Sequence, residues 1–495
     1  MFLNHMQCTA AAFSAVDYKK VPCVALLLCK ECLGGLPLLH LPEGLAQLVE
    51  AYTSRHDDIY SVGALHTLTL LQDGLLQEIV LVGCGEGREC TPANMRKAAG
   101  NLARHLHDQK LASATIAVPI LLDPEKGHYL QAIIQGLYLG AYTFVECKGQ
   151  PKEPGDCQVT ITAAAENREA IAQEAFIEAD AVSLARNLVN RPANIVTPSV
   201  MAAEAARVAE AYNLELEVLD EAGMEKLGMG AILAVGRGSV QRPRMITLKY
   251  HGGGDAPYTA YVGKGITFDT GGISIKPDDN MGEMKDDMTG AANVLAAMKA
   301  IAALKLPCNI MGIMACAENM PDADAYRPGD VVRAANGKTI EVISCDAEGR
   351  LVLADGVCHA CALGAKRVID IATLTGGVMV ALGTETSGII TNKPSLAQKL
   401  MAAGKKAGEP LWHLPSLPDL KEAIKSDVAD VLNSAGRYGS CITGGLFVGE
   451  FIAEGVEWAH IDIGGTSTVT KTSGYKVKGG TAFGALTLIK YAGTL

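Results

Sequence analysis

Two periods of hydrophobic spacing alternate along the chain, one close to two residues and one close to 3.6. Val21–Leu28 is a short apolar run, and Leu81 to Gly87 reads as a strand that ends in a glycine turn. Thr91 to about His107 has helical spacing, with Thr91 as N-cap and Pro92 in the first turn. Ser113–Leu121 is strand-like, Tyr129–Ala141 is helix-like, and Gly149–Asp156 is a loop by composition. A helix from about Glu166 to Val189 follows and stops near Arg191-Pro192. Beyond it, Thr197-Pro198 opens a helix to Tyr212. Strands are predicted at Met245–Tyr250, Thr259–Val262, Ile310–Ala317 and Arg367–Ala372, with helices at Asn293–Leu304 and Val352–Leu363. This alternation predicts an α/β protein of two domains. A smaller N-terminal α/β domain covers residues 1–165 and a connecting helix covers 166–190. A larger C-terminal domain, 191–495, has a mainly parallel sheet flanked by helices. Sites on such sheets collect at the carboxyl ends of strands. The loops that begin at Lys264 and at Thr373 both follow predicted strands.

Composition supports this picture. Of 495 residues, 49% are hydrophobic and 20% charged, which suits a folded chain rather than a disordered one. The 53 glycines and the aromatic content of only 5% fit tight turns and close packing of helix on sheet. A formal net charge of −11 disfavours nucleic acid as the main partner. No apolar run approaches the ~20 residues of a membrane span. Val21–Cys29 reads as a buried strand rather than a signal sequence, since Lys30-Glu31 interrupts it without a cleavage pattern. The expected location is cytoplasmic. Among the 14 cysteines, Cys29/Cys32 and Cys358/Cys361 have C-x-x-C spacing. Neither has a second pair at zinc-ribbon distance, so both are read as small apolar side chains. Gly83, Gly85 and Gly87 miss the dinucleotide spacing and are read as a turn.

The chemistry concentrates between Lys264 and Leu351, where Lys264, Asp269, Lys276, Asp286, Asp287, Asp346, Glu348 and Arg350 stand among glycines and small residues. In an extended segment Asp346, Glu348 and Arg350 would share one face. Carboxylates held so close repel and raise each other's pKa unless cations neutralise them. Arg350 answers part of that charge, and a divalent metal answers it better, with Asp269 and an acid of the Asp286-Asp287 pair nearby. Oxygen donors without His or Cys suit Mg²⁺, Mn²⁺ or a catalytic Zn²⁺ or Co²⁺. Two such ions can activate water and polarise a carbonyl. Lys264 either pairs with a carboxylate or binds metal as a neutral amine, and Lys276 could hold an oxyanion. A structural salt-bridge network is the bland alternative; the ordered set amid glycines weighs against it. Spacing alone leaves amide and phosphate-ester hydrolysis both open.

These residues closely resemble the leucyl aminopeptidase family of two-metal exopeptidases. The resemblance covers Val262–Lys276, Met284–Ala292, Arg327–Asp330, Ile340–Asp355 and Ile371–Gly376. It extends to Ala185–Asn190, Asn194–Pro198 and Trp458–Asp462, while the N-terminal domain matches only in general layout. It implies that 191–495 is a catalytic metallopeptidase domain. Lys264, Asp269, Asp287, Asp346 and Glu348 would be the metal ligands and Lys276 and Arg350 the catalytic pair. The resemblance selects Asp287 over Asp286. It implies two divalent ions per subunit (Mn²⁺ or Zn²⁺, with Mg²⁺ and Co²⁺ as alternatives) and a bicarbonate at Arg350 as general base. Backbone groups of Leu374 and Gly376 would align a peptide substrate. The reaction would be release of N-terminal Leu and other mostly apolar residues by metal-activated water, and the assembly a homohexamer. Ser344-Cys345 stands where the family often has Asn-Thr, and Cys345 could make the site oxidisable. A two-metal phosphoesterase and a DNA-binding architectural protein of the same family are the rival readings. The lack of histidines and of a phosphate cradle weighs against the first, and the net charge against the second.

Overall fold

The computed structural model describes residues 5–30, 41, 43–72, 74–118, 127–151, 155–163 and 165–495. The chain forms two compact units. One is Met1–Ser183 with Val469–Lys478, and the other is Leu184–Thr468 with Gly479–Leu495.

The first unit is built on a six-stranded sheet. Its strands are β1 (Met6–Ala11), β2 (Cys23–Leu28), β3 (Leu65–Gln72), β4 (Leu75–Gly83), β5 (Ser113–Ala117) and β6 (Cys157–Thr162), in the order β1-β6-β5-β2-β4-β3. Among the described residues, only the β3–β4 pair of this sheet is antiparallel. The apolar run of β2 is explained by its position. It is an inner strand and every residue from Cys23 to Leu28 is buried. Helices α1 (Glu43–Thr53), α2 (Pro92–Asp108) and α3 (His128–Gly140) complete this unit. Thr91 caps α2 as its sequence suggests, its Oγ1 accepting from Asn94 N at 3.3 Å. The expected strand at Ser113–Leu121 is observed to Ala117; residues 119–126 lie outside the described residues, as do 152–154 of the expected loop. Val469–Lys478 returns late in the chain to α2, where Gly474 N donates to Asn101 Oδ1 at 3.0 Å.

Helix α4 (Arg168–Asn190) spans the division, and α5 (Pro198–Tyr212) opens on Thr197, whose Oγ1 accepts from Val200 N. The second unit carries an eight-stranded sheet. In chain order it uses β7 (Glu215–Leu219), β8 (Arg244–His251), β9 (Thr259–Asp269) and β10 (Asn309–Asn319). The short β11 (Val331–Arg333) and β12 (Thr339–Glu341) pair outside it, with β16 (Val431–Leu432). The sheet continues with β13 (Arg367–Ala372), β14 (Ser387–Thr391), β15 (Leu411–His413) and β17 (Glu457–Asp462). Its order is β15-β14-β17-β13-β9-β10-β8-β7. The four central strands, β17, β13, β9 and β10, run parallel, and antiparallel pairs flank them. The helices include α6 (Glu221–Lys226), α7 (Gly230–Gly236), α8 (Thr289–Ala303) and α9 (Gly349–Ala362), and others follow toward the C-terminus. α9 packs into the core that joins Val262, Ile313 and Ala315 to Ile232, Val352 and Val357. The central strands therefore end on one edge, at Asp269, Asn319, Ala372 and Asp462.

Candidate active site

The site begins with an expectation that fails locally. β9 does not stop at Val262 but continues to Asp269, so Lys264 and Asp269 are both strand residues. A lysine inside a central strand is costly unless its charge is met. Lys264 Nζ is met three times, by Asp287 Oδ1 at 2.7 Å, Glu348 Oε1 at 2.8 Å and the Thr373 carbonyl at 3.0 Å. Its stem fits only because residue 349 is glycine: a Cβ there would lie 2.5 Å from Lys264 Cε. Lys276 makes the second pair. Its Nζ lies 2.8 Å from Asp269 Oδ2 and 2.5 Å from Asp346 Oδ1. The loop that brings it back passes through Gly271 and Gly272 at φ +84° and +61°, where L side chains are strained.

Asp346, Glu348 and Arg350 do converge, but not as one face of a strand. Cys345 and Asp346 form a turn, Glu348 stands at the N-cap of α9, and Arg350 lies in its first turn. The turn is fastened by Asn433, whose Oδ1 accepts from Ile343 N at 2.7 Å and whose Nδ2 donates to the Ser344 carbonyl at 2.7 Å. Arg350 Nη1 donates to the Asn433 carbonyl at 2.8 Å. Asn319, at the end of β10, donates to Asp269 Oδ1 at 2.8 Å and to the Cys345 carbonyl at 2.9 Å. Asp462 ends β17 and holds the loop after β13. It accepts from Leu374 N at 3.1 Å and from Thr375 Oγ1 at 2.6 Å. Nothing in the local sequence marked Asn319, Asn433 or Asp462 for these tasks, although Asp462 lay in a matching segment.

The electrostatics describe a site short of positive charge. Burial pushes the Asp287 carboxyl well up, with Lys264 pulling against it and Glu348 adding to it. Burial and then Asp269 raise Glu348, and burial raises Asp346. Burial would lower Lys264 and Lys276, but their carboxylate neighbours outweigh it and both are held up. Acids and amines alike shift toward keeping a proton. Two ammonium groups against Asp269, Asp287, Asp346 and Glu348 leave the cluster net negative. Asp287 Oδ2 and Glu348 Oε2 are buried without a hydrogen-bond partner, each such orphan costing roughly 1–3 kcal/mol. Oxygens of Asp269, Asp346 and Glu348 lie within 4.8 Å of one another. Divalent cations fit this donor set, and a salt-bridge network alone leaves it incomplete. Asp286 takes its hydrogen bond from Ser467, and burial pushes its carboxyl up to about 6.

Some expectations are corrected nearby. Cys345 is fully buried, its thiol donates to the Tyr326 carbonyl at 3.3 Å, and burial raises its pKa. A protonated, enclosed thiol is not readily oxidised. Cys358 is a buried side chain of α9, as expected. Cys29 is disulfide-bonded, which departs from its reading as plain apolar filling, and Cys32 lies outside the described residues.

Carboxylates gathered around missing positive charge, at the carboxyl edge of a parallel sheet, define the class: a metal-dependent hydrolase. The chain belongs to the cytosol aminopeptidase family. Residues 183–489 match its catalytic domain and residues 43–151 its N-terminal domain, a closer match than the general layout expected for that half. A probable cytosol aminopeptidase of Alkaliphilus metalliredigens (strain QYMF) is 42% identical over 442 residues, 84% of this chain and 85% of the relative. One from Geobacter sulfurreducens is 40% identical over 503 residues, covering 96% and 98%. Among solved structures, the bottromycin maturation enzyme BotP in complex with Mn is similar with a TM-score of 0.85. It is 33% identical and covers 96% of this chain and 99% of BotP. The protein is thus a metal-dependent aminopeptidase, a hydrolase of peptides that binds divalent metal. The phosphoesterase and DNA-binding readings find no support among these relatives.

Proposed function

We propose that Lys264, Asp269, Asp287, Asp346 and Glu348 hold two divalent ions, manganese or zinc, within a catalytic domain spanning 191–495. The observation that carries this is the pair of buried, partnerless oxygens on Asp287 and Glu348. Ions bound there would polarise a scissile carbonyl and lower the pKa of water. The lysines divide by exposure. Lys264 is 3% exposed and would be the ligand, as a neutral amine once a bound cation displaces its proton, whereas Lys276 is 21% exposed and can reach a substrate. Lys276 holds the charge that develops on the carbonyl oxygen. Arg350 Nε is buried with no partner, and burial lowers the guanidinium's pKa. A bicarbonate at Arg350 would satisfy that donor and serve as general base. Leu374 N–H is already given to Asp462, so Leu374 aligns the peptide through its carbonyl, and Gly376 assists from the next turn. The substrates are peptides with N-terminal Leu or other mostly apolar residues, and the enzyme is a cytoplasmic homohexamer.

The test is a panel of Leu-, Met- and Ala-p-nitroanilides against Mn²⁺, Zn²⁺, Co²⁺ and Mg²⁺. Lys276→Ala should lower kcat by roughly 10²–10³ with metal content unchanged. Full turnover in that variant would remove Lys276 from the mechanism.

A further inference from the structure

We propose a second, separate metal site in the first unit, formed by His56, Asp58 and His66 and selective for zinc-like transition ions. One donor atom from each lies within 4.8 Å of the others. Donors around a tetrahedral ion at 2.0–2.1 Å stand about 3.4 Å apart, so these side chains need only a small rotation to close. His66 Nε2 and Asp58 Oδ2 are already 3.5 Å apart.

The local chain makes the convergence. α1 ends at Thr53, His56 precedes a 3₁₀ turn over Asp57–Tyr60, and His66 is the second residue of β3. Tyr52, on the last turn of α1, orients both imidazoles. Its hydroxyl lies 3.1 Å from His66 Nδ1, leaving Nε2 as the nitrogen that faces Asp58. That is the outer hydrogen bond that sets the tautomer of a metal-binding histidine. The Tyr52 ring also stacks on His56 at 4.3 Å and 24° and meets His66 edge-on at 5.8 Å. A simple His66–Asp58 ion pair would not account for the packing of His56, His66 and Tyr52 against one another, the two imidazole centroids being 6.0 Å apart.

The donors also predict selectivity. Two imidazoles and a carboxylate favour Zn²⁺, Ni²⁺ or Cu²⁺, whereas Mn²⁺ and Mg²⁺ prefer oxygen-rich sets such as that of the catalytic unit. This site therefore disfavours Mn²⁺ and Mg²⁺, which the catalytic donor set accepts. An ion here would tie the end of α1 and the 3₁₀ turn to β3.

The test counts zinc in full-length protein after equilibrium dialysis. It compares the wild type with His56→Gln/His66→Gln, with Asp58→Asn and with Asp346→Asn/Glu348→Gln. The histidine double variant should lose about one zinc per chain and keep peptide turnover. Asp58→Asn should weaken the same zinc roughly 10-fold while leaving both rings in place. The Asp346→Asn/Glu348→Gln protein should retain this zinc, with imidazole scattering in its zinc-edge X-ray absorption. Equal zinc in the wild type and the histidine double variant overturns the site, as does retained zinc that shows no imidazole. Neither result bears on the catalytic ligands, which the Asp346→Asn/Glu348→Gln protein reads separately.

Discussion

Asp462 shows how much of this site depends on residues that need not touch a substrate. It is 1% exposed and spends both carboxylate oxygens on the segment after β13, including the Leu374 and Thr375 amides and the Thr375 hydroxyl. It also receives Gly464 N at 3.1 Å. Removing it should let the loop proposed to align the peptide drift without emptying the proposed metal site. Asp462→Ala is expected to lower kcat/KM by roughly 10- to 100-fold, mostly through KM, because small misplacements of positioning groups are costly. Metal analysis alongside steady-state kinetics separates the two effects. Loss of metal in step with activity would mean that Asp462 supports the ligands instead. Asn433 and Asn319 act in the same way on the Ser344–Ala347 turn and on Asp269.

At the scale of elements, α9 joins the site to the core. Its first turn supplies Arg350, and one face carries Asp355 inward, wholly buried. Asp355 Oδ2 accepts from Ile232 N at 2.8 Å and Oδ1 from Ala335 N at 2.8 Å, so the helix is pinned to α7 and to the segment after β11. Burial outweighs those amides and pushes the carboxyl from 3.8 up to about 7. Between those values the folded state holds a proton that the unfolded chain has released. Stability from this group is therefore full at low pH and is lost as pH rises toward 7. At 1.36 kcal/mol per unit the loss is up to about 4 kcal/mol. Urea unfolding from pH 4 to 7 should show a flatter slope in Asp355→Asn than in the wild type. The variant is also less stable overall, because one amide loses its acceptor. Parallel slopes would place the Asp355 pKa near its ordinary value.

For the whole molecule, the proposed assembly is the prediction that sedimentation can read. Trp412, Val428 and Tyr438 are 62%, 68% and 90% exposed, apolar surface of a kind often covered between subunits. Six copies of a 51.9 kDa chain give a particle of about 311 kDa. Sedimentation equilibrium at working concentration should return that mass, and a 51.9 kDa monomer would refute the hexamer. No helix among the described residues is long and apolar enough to cross a membrane.

Much of this was legible in the sequence because it is encoded locally. Helix and strand periods, the caps at Thr91 and Thr197, and the buried run of β2 reflect free energies set within one or two turns of chain. The crowding of acids between Lys264 and Glu348 was equally local, and it implied cations before any fold was known. What tertiary structure decided is convergence. The strand that carries Lys264 runs on to Asp269 because acids from distant segments neutralise the lysine. Asp346 and Glu348 meet the cluster from a turn, since Asn433, far along the chain, ties that turn in place. Asp462 reaches Leu374 because parallel β17 and β13 end side by side, Asp462 opposite Ala372. Val469–Lys478 joins the first unit through Asn101, a contact no local pattern could foretell. Periodicity and capping are short-range preferences; which distant carboxylates share a lysine is settled only when the sheet has closed around them.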